Sequence, residues 1–404
     1  MTPNSLIHPV QTAKAAKTLL STRFGMWKFA NHGRRRFQDD PRYDLQNVTD
    51  GFASQINETE TEDDTELLER ICAAYTKAVE RQQWTPEAYR PTKRWQEVQQ
   101  RSLSPVRQAL LTRDIKVLRE MYRNFFRDPC STGLLGVPFG MSKAYFGGKI
   151  TNLHRHFYLS HVLYRYDYWA SQTEGLFSLQ DLYGPGIGNP FGVRIDGTHI
   201  HVGAEYAHYC SHRIGGLLHS GRGTVAEIGG GFGGMAYYLL RDRPSSTYID
   251  FDIPESIALT SYYLLKAFPR LRCLLYGEKE LTQKAIALSD VVLFPLFEMA
   301  VMPAGSVDVF FSSHAMSDHS PETIQEYLDN IDRMTSGSFL CVGKKQASEL
   351  ISTQIRTRHR SFELAETRES GWHSHKVSGA GVGGASGLAD STIFEQSYRR
   401  IAAG

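Results

Sequence analysis

The chain is poor in cysteine, and its five, Cys72, Cys130, Cys210, Cys273 and Cys341, are widely spaced with no C-x-x-C pair among them. An odd, scattered set of this kind argues against a disulfide framework and fits reduced thiols in a cytoplasmic protein. Long apolar runs are also missing. No stretch approaches eighteen uninterrupted apolar residues, so a membrane span is not expected, and the opening MTPNSLIHPVQTAKAAK has no apolar core for a secretory signal. Excess charge is missing too. Lys and Arg number 45 against 43 Asp and Glu, a net charge of +2 with no dominant basic block, which removes the electrostatic case for a nucleic-acid partner. What remains is an ordinary globular composition, 41% hydrophobic and 22% charged, in a chain whose 404 residues exceed one core and suggest two domains.

The stretch that stands out is TVAEIGGGFGG, Thr224 to Gly234. A short β-branched and apolar run that breaks into glycines before the helical pattern MAYYLLR reads as a buried parallel strand, a tight turn and a helix. Glycines there permit positive φ and close approach of a ligand to the backbone, beside the unpaired N–H groups of a helix start. Two patterns overlap. Gly229, Gly231 and Gly234 fit G-x-G-x-x-G, which suggests a dinucleotide; Glu227, Gly229, Gly231 and Gly233 fit E-x-G-x-G-x-G, which suggests S-adenosylmethionine. A tight turn with no ligand is the plain alternative to both.

Upstream, residues 1 to about 60 are polar and irregular and end in the acidic run NETETEDDTE, read as a solvated helix start or loop. Helical spacing begins after Asp64, with Asp63 or Asp64 as cap, and a second long helix is expected over Ser104 to Arg127. Leu153 to Trp169 reads as an aromatic core helix whose His154 and His161 share a face while His156 does not, which makes no metal constellation. YGPGIGNPFG near residue 185 marks a domain junction, and Asp196-Gly197 between alternating runs predicts a type I′ hairpin carrying His199 and His201 on one exposed face. His208 and His212 stand four apart on the next helix, without the Glu of an H-E-x-x-H pattern.

Downstream of the turn, strands at 224–228, 247–251, 290–294, 307–311 and 338–342 alternate with helices, which means βαβ crossovers and a largely parallel sheet. Leu271 to Leu275 is undecided. Ser320 and Pro321 signal a helix start. Two last strands, Ser361 to Glu366 and Thr392 to Tyr398, flank the run SGAGVGGASG with no helix between, as an antiparallel edge hairpin would. The expected fold is therefore α/β, a Rossmann-like sheet over residues 186–404, preceded by a mainly helical region over 1–185 for acceptor binding or oligomerisation.

YIDFDIPE offers Asp250 and Asp252 at the next strand's end for a ribose, as either cofactor requires. Three features separate the cofactors. Glu227 beside the turn suits a methionine ammonium better than a pyrophosphate. The sheet ends in a strand pair, and the strand VDVFF runs into SSHAMSDHS, a polar loop where catalytic groups collect.

From about Gly188 onward the chain resembles the bacterial sugar O-methyltransferase family, within the class I S-adenosylmethionine-dependent methyltransferases. The residues that carry the resemblance are GNP (188 to 190), EIGGGFGG (227 to 234), DIPE with SYYL (252 to 255 and 261 to 264) and SSHAMSDHSPE (312 to 322). Asp318-His319 stand where that family tends to have a Glu-Met pair. The resemblance implies a seven-stranded methyltransferase sheet, cofactor contacts at Glu227, Gly229, Gly231 and Gly233 and a ribose contact at Asp252; Ser313 at the strand end is added as a further contact. S-adenosylhomocysteine would be the product, and the acceptor a saccharide or similar hydroxylated metabolite.

Methyl transfer to an alcohol needs in-line positioning and a base for a protonated hydroxyl. His314 is the first candidate, His319 the second, and Asp318 the group that orients one of them. A divalent metal on Asp318 is an alternative activator. A nicotinamide-dependent oxidoreductase and a non-catalytic binding module are the competing functions.

Overall fold

The computed structural model describes residues 9–56, 63–135, 150–218, 222–378 and 392–401. Residues 57–62 of the acidic run and 379–391, which hold most of the glycine-rich run, lie outside them.

The N-terminal region is helical, through Pro9–Arg36, Leu45–Gly51, Thr65–Gln82, Lys93–Arg101, Ser104–Thr112, Ile115–Tyr122 and Asn152–Gln172; the first two stand where an irregular polar stretch was expected, and the first packs on Asn152–Gln172. The single helix expected over Ser104 to Arg127 is two. Arg113 takes a left-handed φ of 54°, its N–H closes on the Ala109 carbonyl, and the Asp114 side chain caps the second helix at the Val117 amide. Of the two candidate caps before Thr65, Asp63 accepts the Thr65 amide, whereas Asp64 turns inward to the Arg119 guanidinium at 2.6 Å. None of the described helices is long and apolar enough to cross a membrane.

A two-stranded hairpin follows, β1 (Gly192–Ile195) and β2 (Thr198–His201), closed by Asp196 and Gly197 at φ 48° and 79°. Both central residues are left-handed, as a type I′ turn demands. Its histidines are not exposed. His199 bonds the Gly51 carbonyl at 3.0 Å, and His201 packs against the Phe126 ring, because the hairpin is covered by helix Leu45–Gly51 and the aromatic core. His208 is likewise buried and accepts the Trp169 indole N–H.

The main sheet contains β3 (Thr224–Ile228), β4 (Thr247–Asp252), β5 (Cys273–Leu275), β6 (Val291–Pro295), β7 (Val307–Ser313), β8 (Thr335–Lys344), β9 (Phe362–Glu369) and β10 (Ile393–Arg400). Their order is β5-β6-β4-β3-β7-β8-β10-β9, with the first six parallel and β10 and β9 antiparallel at the end. That is eight strands where seven were expected. The extra one is β5, the undecided Leu271 to Leu275 stretch, a three-residue edge pairing with β6.

Alternation along the strands divides the core in two. Val225, Tyr248, Val309 and Leu340 face one side, where they join Leu239 and Tyr262 and the N-terminal residues Leu68, Ile71 and Leu110. Ala226, Ile249, Phe310 and Cys341 face the other, against Ile324, Ile331, Ile351 and Ile355. Burial on both faces explains the near-continuous apolar strands. The N-terminal helices thus thicken one layer of a helix–sheet–helix sandwich, and Thr65–Gln82 packs directly on the helix Pro254–Ala267.

Candidate functional site

Strand order reverses around β3, so a crevice opens at the carboxyl ends of β3, β4 and β7, where open α/β sheets collect ligands. A cleft of about 250 Å³ lies there. Its floor includes Gly229 and Gly231, at φ 81° and 63°. A Cβ on Gly229 would come within 2.5 Å of the Ala315 side chain. Gly233, at φ 90°, is the N-cap of helix Gly234–Asp242 and does not line the cleft; its part is in the turn.

The turn is held from the neighbouring helix. Ser256 and Thr260, one helical turn apart on Pro254–Ala267, both donate to the Gly231 carbonyl, at 2.8 and 2.6 Å. Asp252 accepts the Gly231 amide at 3.2 Å, the Ile253 amide at 2.7 Å and the Ser256 hydroxyl. It lines the cleft beside Phe251 and Ile253. Burial raises its carboxyl to about 6 in spite of these donors.

Glu227 does not reach the cleft. Period-two alternation turns it into the sheet's helix-covered face, where it accepts the Tyr248 hydroxyl at 2.6 Å, and burial pushes its carboxyl up to about 8. The other acid offered by YIDFD, Asp250, is fully buried on the same face and accepts the Gly230 amide at 3.1 Å.

The last residue of β7, Ser313, and the loop after it, with His314, Asp318 and His319, line the same cleft. The Ser313 hydroxyl shares a 2.8 Å hydrogen bond with Tyr206 of helix Ala204–Leu217. His314 sits at φ 63°, donates its amide to the Val342 carbonyl and meets the His373 ring edge-on at 4.9 Å. Burial, with Lys344 nearby, lowers its imidazole to about 4, so the neutral ring prevails at neutral pH. His319 lies edge-on to Tyr327, and burial lowers it as well. Asp318 is engaged by two cations, Arg94 at 2.8 Å and Lys344 at 2.5 Å. That pairing holds it below the usual carboxylate range despite some burial, and its recorded bonds are to these cations rather than to either histidine. Among the described residues no cluster of three metal-ligating side chains is found.

The rest of the wall comes from outside the sheet unit. Tyr89, Pro91, Arg94, Trp95 and Val98 line the cleft from the N-terminal region, with Gly133 and Leu134 beside them. Sequence reasoning missed these, as well as Ser256, Thr260 and Tyr248. Only the four-residue spacing of the two hydroxyls on the helix after DIPE could have drawn attention to that pair.

A parallel sheet with a glycine turn after its central strand, an acid at the next strand's end and a terminal antiparallel pair decides the architecture. The fold is a Rossmann-like methyltransferase fold. No family model matches the chain, and no curated protein matches it. Solved structures resemble it in part. The pyocyanin biosynthetic protein PhzM is 12% identical with a TM-score of 0.30, covering 47% of this chain and 54% of its own, so this chain spans about half of PhzM. A SAM-dependent methyltransferase from Aquifex aeolicus is 11% identical with a TM-score of 0.30, over 47% and 89% of the two chains. The cyclase SpnF is 12% identical with a TM-score of 0.34, over 61% and 96%.

Proposed function

We propose that this chain is an S-adenosylmethionine-dependent O-methyltransferase acting on a hydroxyl of a sugar or of a hydroxylated natural-product-type metabolite in the cytoplasm. The observation that carries the cofactor reading is the set of three carboxyl groups, Glu227, Asp250 and Asp252, gathered under and beside the glycine turn. A pyrophosphate on that turn would face them at short range in a poorly solvated site, whereas a sulfonium and an ammonium would be stabilised there. Gly229 and Gly231, at positive φ, also let the turn's bare backbone line the cleft. On this reading Asp252 holds the ribose diol, Gly229 and Gly231 hold the methionine moiety, and Glu227 acts from beneath the turn.

Bound S-adenosylmethionine supplies an electrophilic methyl group on sulfur. The chain's own task is to aim an acceptor oxygen at it and take up the hydroxyl proton. His314, neutral and in the wall of the cleft, is the general base of this reading, with His319 as the second candidate. The wall from Tyr89 to Val98 excludes water and offers aromatic surface for a sugar face. Asp318 works through Lys344 and Arg94, tying the loop to the helix Lys93–Arg101. The loop's position in the cleft wall favours this over a non-catalytic module.

The test is calorimetric titration with S-adenosylhomocysteine and, separately, NADH and NADPH. Micromolar binding of the first alone supports the reading, and binding of a dinucleotide alone sinks it.

A further inference from the structure

Beneath the glycine turn the sheet holds more acid than a cradle needs. In the parallel register Glu227 of β3 stands directly across from Asp250 of β4, and like charges so placed destabilise a strand pair. Glu227 is 4% exposed and Asp250 0%. The Tyr248 hydroxyl donates to Glu227, and the Gly230 amide donates to one Asp250 oxygen, but Asp250 Oδ2 is buried without a partner. These atoms crowd the underside of the turn. A Cβ on Gly230 would stand 2.6 Å from the Tyr248 hydroxyl and 2.8 Å from each Asp250 oxygen.

Among the described residues none brings a positive charge to the pair. Asp252 follows on the same strand, Glu255 of helix Pro254–Ala267 acts on Asp252, and Cys210 of helix Ala204–Leu217 and Tyr327 of helix Pro321–Met334 feel Glu227 and Asp252 respectively. All are acidic or neutral. A buried carboxyl pair in such a setting avoids facing two negative charges, one on an oxygen without a donor, by keeping a proton.

We propose that Glu227, Asp250 and Tyr248 form a proton-holding group that sets the charge preference of the site, releasing a proton to solvent when a cationic ligand seats on the turn. The inference rests on the cofactor reading above, and makes these three specificity-determining residues that act through the turn. A sulfonium cation is the counter-charge the group lacks. Release of the proton then appears in the binding equilibrium, so affinity rises with pH, by up to about tenfold per pH unit for one proton. A pyrophosphate would have the opposite sign, drawing a proton in. Burial that holds Glu227 near 8 and Asp250 above its usual range agrees with this direction.

The experiment is calorimetric titration of the full chain with S-adenosylmethionine at pH 6.5, in two buffers of different ionisation enthalpy. At that pH an α-amino group, with a pKa of about 7.7–8.0, is already charged and adds little. The expected result is release of close to one proton with S-adenosylmethionine, less with S-adenosylhomocysteine, which lacks the sulfonium charge, and affinity for the former that tightens from pH 6 to 7. Glu227→Gln keeps the shape and a bond to Tyr248 and should reduce both effects, and Glu227→Asp should restore them in part. Binding of S-adenosylmethionine with no proton exchange and no pH dependence overturns the inference while leaving the cofactor reading intact. Failure of both ligands to bind, or proton uptake with a dinucleotide instead, overturns both.

Discussion

The Leu134 carbonyl oxygen stands 2.6 Å from where a Cβ on Gly231 would be, so the N-terminal region presses its backbone directly on the glycine turn. Gly231 also holds φ at 63°. Gly231→Ala therefore combines left-handed strain of about 1–2 kcal/mol with a clash against backbone that cannot swing aside. The expected outcome is a lowered Tm together with loss of S-adenosylhomocysteine binding. Gly197→Ala is the control, at φ 79° with nothing within 4 Å, and should lose about as much to strain while binding normally.

Asp252→Ala removes the acceptor for two amides and the Ser256 hydroxyl at the cleft's edge. Affinity for S-adenosylhomocysteine should fall by at least about tenfold, in line with a lost charged hydrogen bond of roughly 1.5–3 kcal/mol. Titration of the variant at the wild-type affinity would remove Asp252 from the ribose role.

His314→Ala should lower kcat by about 10²- to 10⁴-fold with cofactor affinity nearly unchanged, the usual range for a lost general base. The base works when neutral, so at saturating cofactor the rate should fall only as pH drops toward about 4. Lys344 contributes to that low value, and Lys344→Gln should move the acid limb of the kcat/KM profile upward. An unmoved limb would assign it to another group.

Stability should respond to pH with two signs. Buried His201 and His208 are held near 4 by desolvation, below the unfolded value, so their contribution is present at neutral pH and is lost as pH falls below about 6.5. Glu227 runs the other way. Its folded value is raised to about 8, so the stability linked to it is complete below about 4.5 and lost as pH climbs to 8. Between pH 6.5 and 8 the histidines no longer matter and the buried Glu227–Asp250 pair dominates, with Glu227 accounting for a decline on the order of 1–2 kcal/mol. Thermal melts of the ligand-free protein should decline across that window, and Glu227→Gln should flatten the decline.

Glu255 gathers Tyr75, Gln99 and Arg107 from three N-terminal helices onto helix Pro254–Ala267, at 3.1, 2.9 and 2.9 Å. Glu255→Ala leaves Tyr75 and Gln99 without their acceptor and Arg107 without its counter-charge, and should cost about 3 kcal/mol, read as a shifted urea midpoint. An unchanged midpoint would show that the helices are held by apolar packing alone.

Much of this was local enough to be legible in sequence. The glycine turn, the Asp-Gly hairpin and the Ser320-Pro321 helix start depend on residues whose own backbone preferences decide the geometry, and each is found where expected. What depended on partners was not legible. Arg113 breaks a continuous apolar stripe because Asp114 caps a new helix, and periodicity alone does not register that break. Three residues of β5 are too few for a pattern. His199 and His201 alternate as exposed residues would, but the helix Leu45–Gly51 covers them from a distance of some 150 positions. In the site, His314, Asp318 and His319 were readable as a polar loop. The two cations on Asp318 were not, since Arg94 comes from 224 residues away.

The two edges of the large sheet are unlike in length but alike in what they deny. β5 offers only three residues, beside the Arg272–Asp290 ion pair, and β9 reads FELAETRE with most of its side chains exposed and several charged. Short or charged borders discourage a second chain from adding a strand. Copies of this protein that associate should therefore meet through helix surfaces rather than by extending the sheet, and concentrated solutions should resist fibrillar aggregation even though β3 and β6 in its interior are mostly apolar.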